Sequence, residues 1–177
     1  LPSPRAVPTD INLLLADTLS LYAGLFHGIT IEATYDPGLP VVRLDPDQIR
    51  RVVVNLVDNA AAALGGDRGL TSEPGGIIGV ATYHDVTNHV ARVTVSDNGP
   101  GIAEVDRDKL FLPYFSTKGR GSGLGLAIVR RIVVEHGGSI EVTENRPRGT
   151  RFSIELPCGA SALDDTPVVA PAEGERA

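Results

Sequence analysis

Cysteine, tryptophan and methionine are almost or entirely missing from this 177-residue sequence. The single cysteine, Cys158, excludes an internal disulfide and any metal site built from several thiolates. This cysteine usage agrees with a reducing compartment, so we expect a cytoplasmic protein. With 42% hydrophobic residues, the chain is long enough for one globular domain with a substantial core.

Long hydrophobic runs and an excess of basic residues are absent as well. No apolar stretch approaches the roughly eighteen residues that cross a bilayer, and no signal peptide pattern stands at the start. We therefore expect a soluble chain without direct membrane contact. The 22 acidic residues outnumber the 16 basic ones, which gives a formal net charge of -6. Nucleic-acid binding calls for a basic face, so the charge argues against that class.

Glycine, by contrast, is plentiful and clustered. Residues 97–101 read Asp-Asn-Gly-Pro-Gly, and residues 119–125 place a glycine at every second position just before an apolar run. Glycine is used where backbone approaches a ligand, and a helix that begins after such a cluster favours an anion. The pattern predicts a phosphorylated ligand, and a flexible surface linker is the alternative for the second cluster.

Two standard phosphate-binding motifs do not fit the second cluster. A P-loop needs a lysine after its last glycine, whereas Lys118 precedes the cluster. A dinucleotide fingerprint needs a buried strand before its glycines, and residues 113–117 do not have that pattern. The phosphate site, if present, is of another kind.

Apolar periodicity and capping residues predict three helices and five strands. The first helix begins at Thr9 or Asp10. The second begins at Asp45-Pro46-Asp47 and ends before Gly65. The third runs from Leu124 to Glu135, with Gly137-Gly138 as its C-cap. The strands cover residues 31–35, 76–84, 89–96, 139–143 and 151–156, with hairpins between the second and third and between the fourth and fifth. Such an order predicts an α+β sandwich, a mostly antiparallel sheet covered on one face by helices.

Three polar residues have a chemical interpretation. Asn55 and Asn59 are four apart on the second helix, so their amides share one face. Amide oxygens suit Mg²⁺ that bridges to phosphates, although two polar surface positions are the alternative. Asp97 at a strand end can accept the exocyclic N–H of adenine, or the run from Asp97 to Gly99 is only a hairpin turn.

The order of the motifs resembles the catalytic domain of sensor histidine kinases, of the GHKL superfamily. The match covers about residues 45–157, and the sequences of the motifs are similar to those of nitrogen-regulation sensor kinases. The matching motifs are Asn55-Leu56-Val57-Asp58-Asn59-Ala60 for the N box, Asp97-Asn98-Gly99-Pro100-Gly101-Ile102 for G1, Leu110-Phe111-Leu112-Pro113-Tyr114-Phe115-Ser116-Thr117 for the F box, Gly121-Ser122-Gly123-Leu124-Gly125-Leu126 for G2, and Gly149-Thr150-Arg151-Phe152 for the closing Gly-Thr motif.

The resemblance implies a Bergerat fold, a two-layer α/β sandwich with a mixed sheet, and a site for ATP and Mg²⁺. Asn59 would be the Mg²⁺ ligand with Asn55 assisting, and Asp97 would recognise adenine. The remaining nucleotide contacts would come from the backbone at Gly99 and Gly101, the adenine-pocket residues Ile102 and Leu126, the phosphate-binding residues Gly121, Ser122, Gly123, Leu124 and Gly125, and Thr150 through water.

Residues 103–120 would form an ATP lid, anchored by Phe111 and Phe115. Lys118 and Arg120 would meet the β- or γ-phosphate, with Lys118 and Asn55 as the catalytic residues; solvated lid charges are the alternative. One departure is Ala62, which stands where many relatives carry a basic residue.

No phosphoacceptor motif accompanies these boxes. The four histidines, His27, His84, His89 and His136, are not followed by the pattern of an H box, so ordinary structural or surface roles are expected. The resemblance then implies a kinase domain that donates the γ-phosphoryl group to a histidine of a separate dimerisation domain, for transfer to a response regulator. We expect residues 1–28 to be a lead-in helix towards that domain, 29–157 the ATP-binding domain, and 158–177 a disordered tail.

Two other functions stay open. One is a nucleotide-binding interaction module, either a degenerate kinase or an anti-sigma-type kinase. The other is an ATPase of the gyrase, mismatch-repair or heat-shock chaperone kind. Those enzymes need a general base, typically a glutamate at the position of Asn55, and asparagine cannot take that proton.

Overall fold

A five-stranded sheet with helices on one face organises the chain. The computed structural model describes residues 3–65, 75–115 and 123–159. In chain order the elements are β1 (Val7–Thr9), α1 (Ile11–Ser20), β2 (Ile29–Thr34), β3 (Val42–Leu44), α2 (Pro46–Ala63), β4 (Gly76–Asp85), β5 (Val90–Asp97), α3 (Glu104–Arg107), α4 (Gly125–Glu135), β6 (Ser139–Glu144) and β7 (Thr150–Pro157).

The order of strands in the sheet is β2-β4-β5-β7-β6. β2 pairs with β4 in parallel, and the other three pairs are antiparallel. Burial alternates along the three central strands, so every second side chain faces the core. The helices cover that face, and the apolar side chains between the layers form one continuous cluster. The predicted sandwich with a mostly antiparallel, mixed sheet is confirmed.

α2 is the central helix of the covering layer. The carboxylate of Asp45 caps its first turn, since Oδ1 accepts the N–H of Asp47 and of Gln48, each at 3.1 Å. Pro46 occupies the first turn, where its missing N–H costs nothing. The buried stripe that holds the helix on the sheet comprises Ile49, Val52, Val53, Leu56, Val57, Ala60 and Ala61.

α4 lies beside α2 and runs in the opposite direction. Its first residue, Gly125, lies beside Asn55 in the middle of α2. Its last turn reaches the start of α2, where His136 Nε2 accepts the Asp45 N–H at 3.0 Å. Nδ1 of the same ring lies 2.7 Å from Ile132 O, so the proton on Nδ1 completes the pair of hydrogen bonds. His136 therefore has the structural role that the sequence predicted.

The short elements were not predicted. β1 and β3 pair antiparallel with three residues each, and α3 has four residues, too few to show a hydrophobic period. α1 packs into the same core through Ile11, Leu14 and Leu15. The boundary at residue 28 stays a prediction. Of the expected tail, residues 158–177, the Cys158 N–H donates to His89 O at 2.9 Å, and residues 160–177 lie outside the described residues. In the part of the chain that the structure describes, no helix has the length and apolarity to span a bilayer.

Candidate functional site

The end of β5, the later half of α2, the start of α4 and the β6–β7 turn meet at one end of the molecule. Asp97, the last residue of β5, lies there with only 4% of its surface exposed. Its Oδ1 accepts the N–H of Gly99 at 2.8 Å and the N–H of Thr150 at 3.3 Å. Backbone donors thus hold a buried carboxylate in a defined orientation, which is the arrangement a specific hydrogen bond to a ligand requires.

The residues after Asp97 do not form a hairpin turn. β5 pairs with β4 and β7, whereas the chain after Asp97 leads through Gly101, with φ of +81°, into α3. Asn98 ties this segment to the start of β4, because its Oδ1 accepts the Ile77 N–H at 2.8 Å and its Nδ2 donates to Gly75 O at 2.9 Å. The plain-turn alternative is therefore wrong. The contacts of Asn98 had no signal in the sequence beyond a turn-forming residue type.

Three more predicted residues line the same region. Thr150 is buried at 4% exposure and contributes the backbone donor to Asp97. Ile102 and Leu126 are half-buried and pack against the core cluster. The structure thus brings Thr150 into contact with Asp97, and the nucleotide contacts of all three residues stay predictions.

The two asparagines of α2 follow Asp97 along the site. Asn55 Nδ2 donates to Arg51 O at 2.8 Å, which leaves Oδ1 directed towards the start of α4. A Cβ on Gly125 would lie 2.8 Å from that oxygen, so the absence of a side chain at Gly125 is what permits the approach. Asn59 lies one turn further along α2 and is half-buried.

The N-terminus of α4 faces Asn55. Leu124 is the N-cap residue, and its apolar side chain makes no capping hydrogen bond to the first turn. The backbone N–H groups and the dipole of a helix start carry a partial positive charge of about half a unit. Oxygen from Asn55 and N–H groups from α4 therefore lie side by side, as a phosphate with a bound cation would need.

The F-box segment packs beside α4. Phe111 meets Phe152 edge-on with ring centroids 6.4 Å apart, and the Arg130 guanidinium lies 5.7 Å from the Phe111 ring. Tyr114 has a left-handed backbone with φ of +65°, and its N–H donates to Gly123 O at 2.9 Å. Phe111 and Phe115 are both half-buried, and Phe111 packs against Phe152. That the two residues anchor an ATP lid stays a prediction.

Four predicted site residues lie outside the described part of the chain. They are Lys118, Arg120, Gly121 and Ser122. Their proposed phosphate contacts stay predictions. The described part of the site consists of the buried Asp97, the α2 asparagines and the start of α4.

Comparison with known proteins decides the family. Residues 44–160 match the family described as histidine kinase-, DNA gyrase B- and HSP90-like ATPases. The chain belongs to this ATPase family. The matched range contains β5, α2 and α4, so the site described above is the part of the fold that the family shares.

Relatives of this ATPase domain are sensor histidine kinases. It is 38% identical over 169 residues to the sensory histidine kinase/phosphatase NtrB of Rhizobium leguminosarum bv. phaseoli, covering 91% of this chain and 44% of the relative. The catalytic domain of histidine kinase ThkA superposes with a TM-score of 0.72 at 33% identity, covering 87% of this chain and 96% of that one. Full-length ShkA in complex with AMPPNP gives a TM-score of 0.73 at 28% identity, covering 86% and 31%.

The ATPase domain spans only part of such proteins. It covers 32% to 44% of the length of the curated relatives that it matches. At the level of the domain, this is an ATP-binding catalytic domain of the histidine kinase type.

The oxygen donors at this site of the ATPase domain suit a Mg²⁺ ion that is bound mainly by phosphate and water oxygens. Among residues 3–65, 75–115 and 123–159, no group of three or more His, Cys, Asp or Glu could hold a metal by itself. Neutral amide oxygens beside a helix N-terminus fit a cation that takes most of its oxygens from phosphates and water. Asn55 Oδ1 faces that position, and the Mg²⁺-binding roles of Asn55 and Asn59 stay predictions.

Proposed function

We propose that this domain binds Mg²⁺–ATP and transfers the γ-phosphoryl group to a histidine of a separate dimerisation domain, from which a response-regulator aspartate receives it. The single observation that carries the proposal is the placement of Asn55. An amide, which cannot act as a general base, faces the start of α4 where hydrolytic relatives need a carboxylate.

Different residues of this chain would bind the adenine, the phosphates and the Mg²⁺ ion. Asp97 would accept the adenine amino group, and the N–H groups at the start of α4 would hold the phosphates. Asn59 would hold Mg²⁺ with Asn55 assisting, and the ion would neutralise charge on the phosphoryl oxygens. Lys118 and Arg120 would add positive charge near the γ-phosphate. Phosphoryl transfer depends mainly on such positioning and charge stabilisation.

The phosphate acceptor would come from another domain. His136 lies at the far end of α4, whose 11 residues extend about 16 Å at 1.5 Å per residue. His84 pairs with Ala91, six residues from Asp97 along β5, which is about 20 Å in an extended strand. His27 is exposed in the segment between α1 and β2.

An incoming neutral imidazole would attack the γ-phosphorus, the bond to the β-phosphate oxygen would break, and ADP would leave.

The test is to mix the domain, Mg²⁺–ATP and its cognate histidine-bearing helical domain, and then to measure acid-labile phosphate on that partner. The expected result is labelled partner, with no label on this chain alone. Asn55→Ala should lower the labelling, and Asn88→Ala, in the distant β4–β5 turn, is the control. Steady release of inorganic phosphate without labelling would instead support an ATPase. ATP binding with neither product would support a binding module.

A further inference from the structure

The β6–β7 turn reaches back to Asp97 through one side chain. Asn145 Nδ2 donates to the backbone oxygen of Asp97 at 2.8 Å, and Asn145 N donates to Gly149 O at 3.0 Å, which closes the turn. Arg151 Nη2 donates to Asn145 Oδ1 at 3.1 Å and so orients the amide. Asn145 is half-buried, and both ends of its amide group are engaged.

The contact lies just beyond the last pair of the ladder between β5 and β7. The ladder between β5 and β7 ends at the pair Ser96 and Arg151. Thr150, the next residue on β7, gives its N–H to the Asp97 side chain. Beyond this last pair, the Asn145 amide supplies a hydrogen bond to the Asp97 carbonyl.

Close packing fixes the same peptide. Gly149 has φ of +119°, and a Cβ at this position would overlap Asp97 O and lie 2.9 Å from Asn98 Cα. The turn thus lies directly against the Asp97 peptide. A hydrogen bond and a steric contact together set the position from which the Asp97 side chain projects.

We propose that Asn145 is a positioning residue for adenine recognition, acting through Asp97. This inference rests on the proposed function, and it adds a determinant of base specificity that touches no part of the nucleotide. If the Asp97 peptide moves, its carboxylate no longer meets the 6-amino group of adenine at hydrogen-bonding distance, and such bonds weaken steeply with misalignment.

The test compares ATP with inosine triphosphate, which carries a carbonyl where adenine carries the amino group. The variants are Asn145→Ala and Asn145→Asp, the second of which keeps the shape but cannot donate. Both should bind ATP about 5- to 30-fold more weakly, as expected for one lost buried hydrogen bond. Binding of inosine triphosphate should change less than about 2-fold, because it has no amino group to place.

Asn88→Ala is the matched control. Asn88 lies in the β4–β5 turn and donates its amide to Asp85, far from Asp97. It should change neither affinity, and thermal unfolding should show that all variants are folded. If the Asn145 variants lose affinity for both nucleotides equally, or keep the wild-type preference for ATP, the inference is overturned. The proposed function fails separately, if the wild type binds neither nucleotide.

Discussion

The two ends of the proposed nucleotide site are built differently. At the Asp97 end, a buried carboxylate is held by backbone N–H groups, and its own peptide is held by Asn145. At the α4 end, a half-buried amide faces a helix start whose N-cap residue, Leu124, makes no side-chain capping hydrogen bond. The first end is defined by contacts within the fold, whereas the second offers partial charges that a phosphate would complete. Base recognition would thus depend on rigidity, and phosphate binding on charge.

The largest effect should come from breaking the rigid end. In Gly149→Ala the new Cβ would overlap Asp97 O, and φ of +119° is unfavourable for alanine. We expect the free energy of unfolding to fall by about 3 kcal/mol, measured by urea denaturation. Gly24→Ala is the control, because Gly24 also has positive φ, +71°, but has no atom within 4 Å of the added Cβ. It should cost about 1 kcal/mol. Equal losses would contradict the packing account.

A smaller effect should come from the α4 end. In Gly125→Ala the added Cβ would lie 2.8 Å from Asn55 Oδ1, so the amide must turn away from the helix start. We expect about 10-fold weaker binding of Mg²⁺–ATP, roughly 1.4 kcal/mol.

Adenosine, which lacks the phosphates, is the matched ligand. An NMR titration should show that Gly125→Ala binds adenosine as the wild type does. If adenosine binding also falls, the two ends are coupled and the comparison is wrong.

The smallest effect concerns a region away from both ends. Hydrogen bonds from the N–H groups of Arg5, Gln48 and Asp47 lower the pKa of Asp45 below its ordinary value. The ionised form therefore stabilises the fold above the unfolded-state pKa of about 3.9, and this contribution is lost as pH falls through the folded-state pKa. Asp45→Asn should flatten the decrease in unfolding free energy between about pH 5 and pH 2.

Nucleotide affinity at neutral pH should be unchanged in Asp45→Asn. Part of the acid dependence should remain, because hydrogen bonds from the His84 N–H and from the Asn88 side chain lower the pKa of Asp36 and Asp85. An unchanged pH profile would show that Asp45 does not contribute.

Local signals in the sequence predicted most of the fold. The cap at Asp45, the apolar stripe of α2 and the β4–β5 hairpin depend on neighbours within a few residues, and all three are confirmed. The parallel pairing of β2 with β4 depends on contacts between residues 47 apart, such as Ile29 and Gly76, and no local pattern reports it. β1 and β3 are too short to show a strand period.

Some residues of the site could be predicted from the sequence, and others could not. Motif order predicted Asp97, Asn55 and Gly125, and the structure brings them to one end of the molecule. The order of the motifs could not predict the role of Asn145. A turn asparagine has the same local signal whether it faces solvent or donates a hydrogen bond to a residue 48 positions away. The assignments of Lys118 and Arg120 remain predictions.

Calorimetric titration of the wild type and of Asp97→Ala with Mg²⁺–ATP tests whether the buried carboxylate recognises the nucleotide. The wild type should bind, and Asp97→Ala should bind about 100-fold more weakly, since a charge-assisted hydrogen bond to the base is lost from a buried position. No binding by the wild type, or equal binding by both proteins, would contradict this role of Asp97.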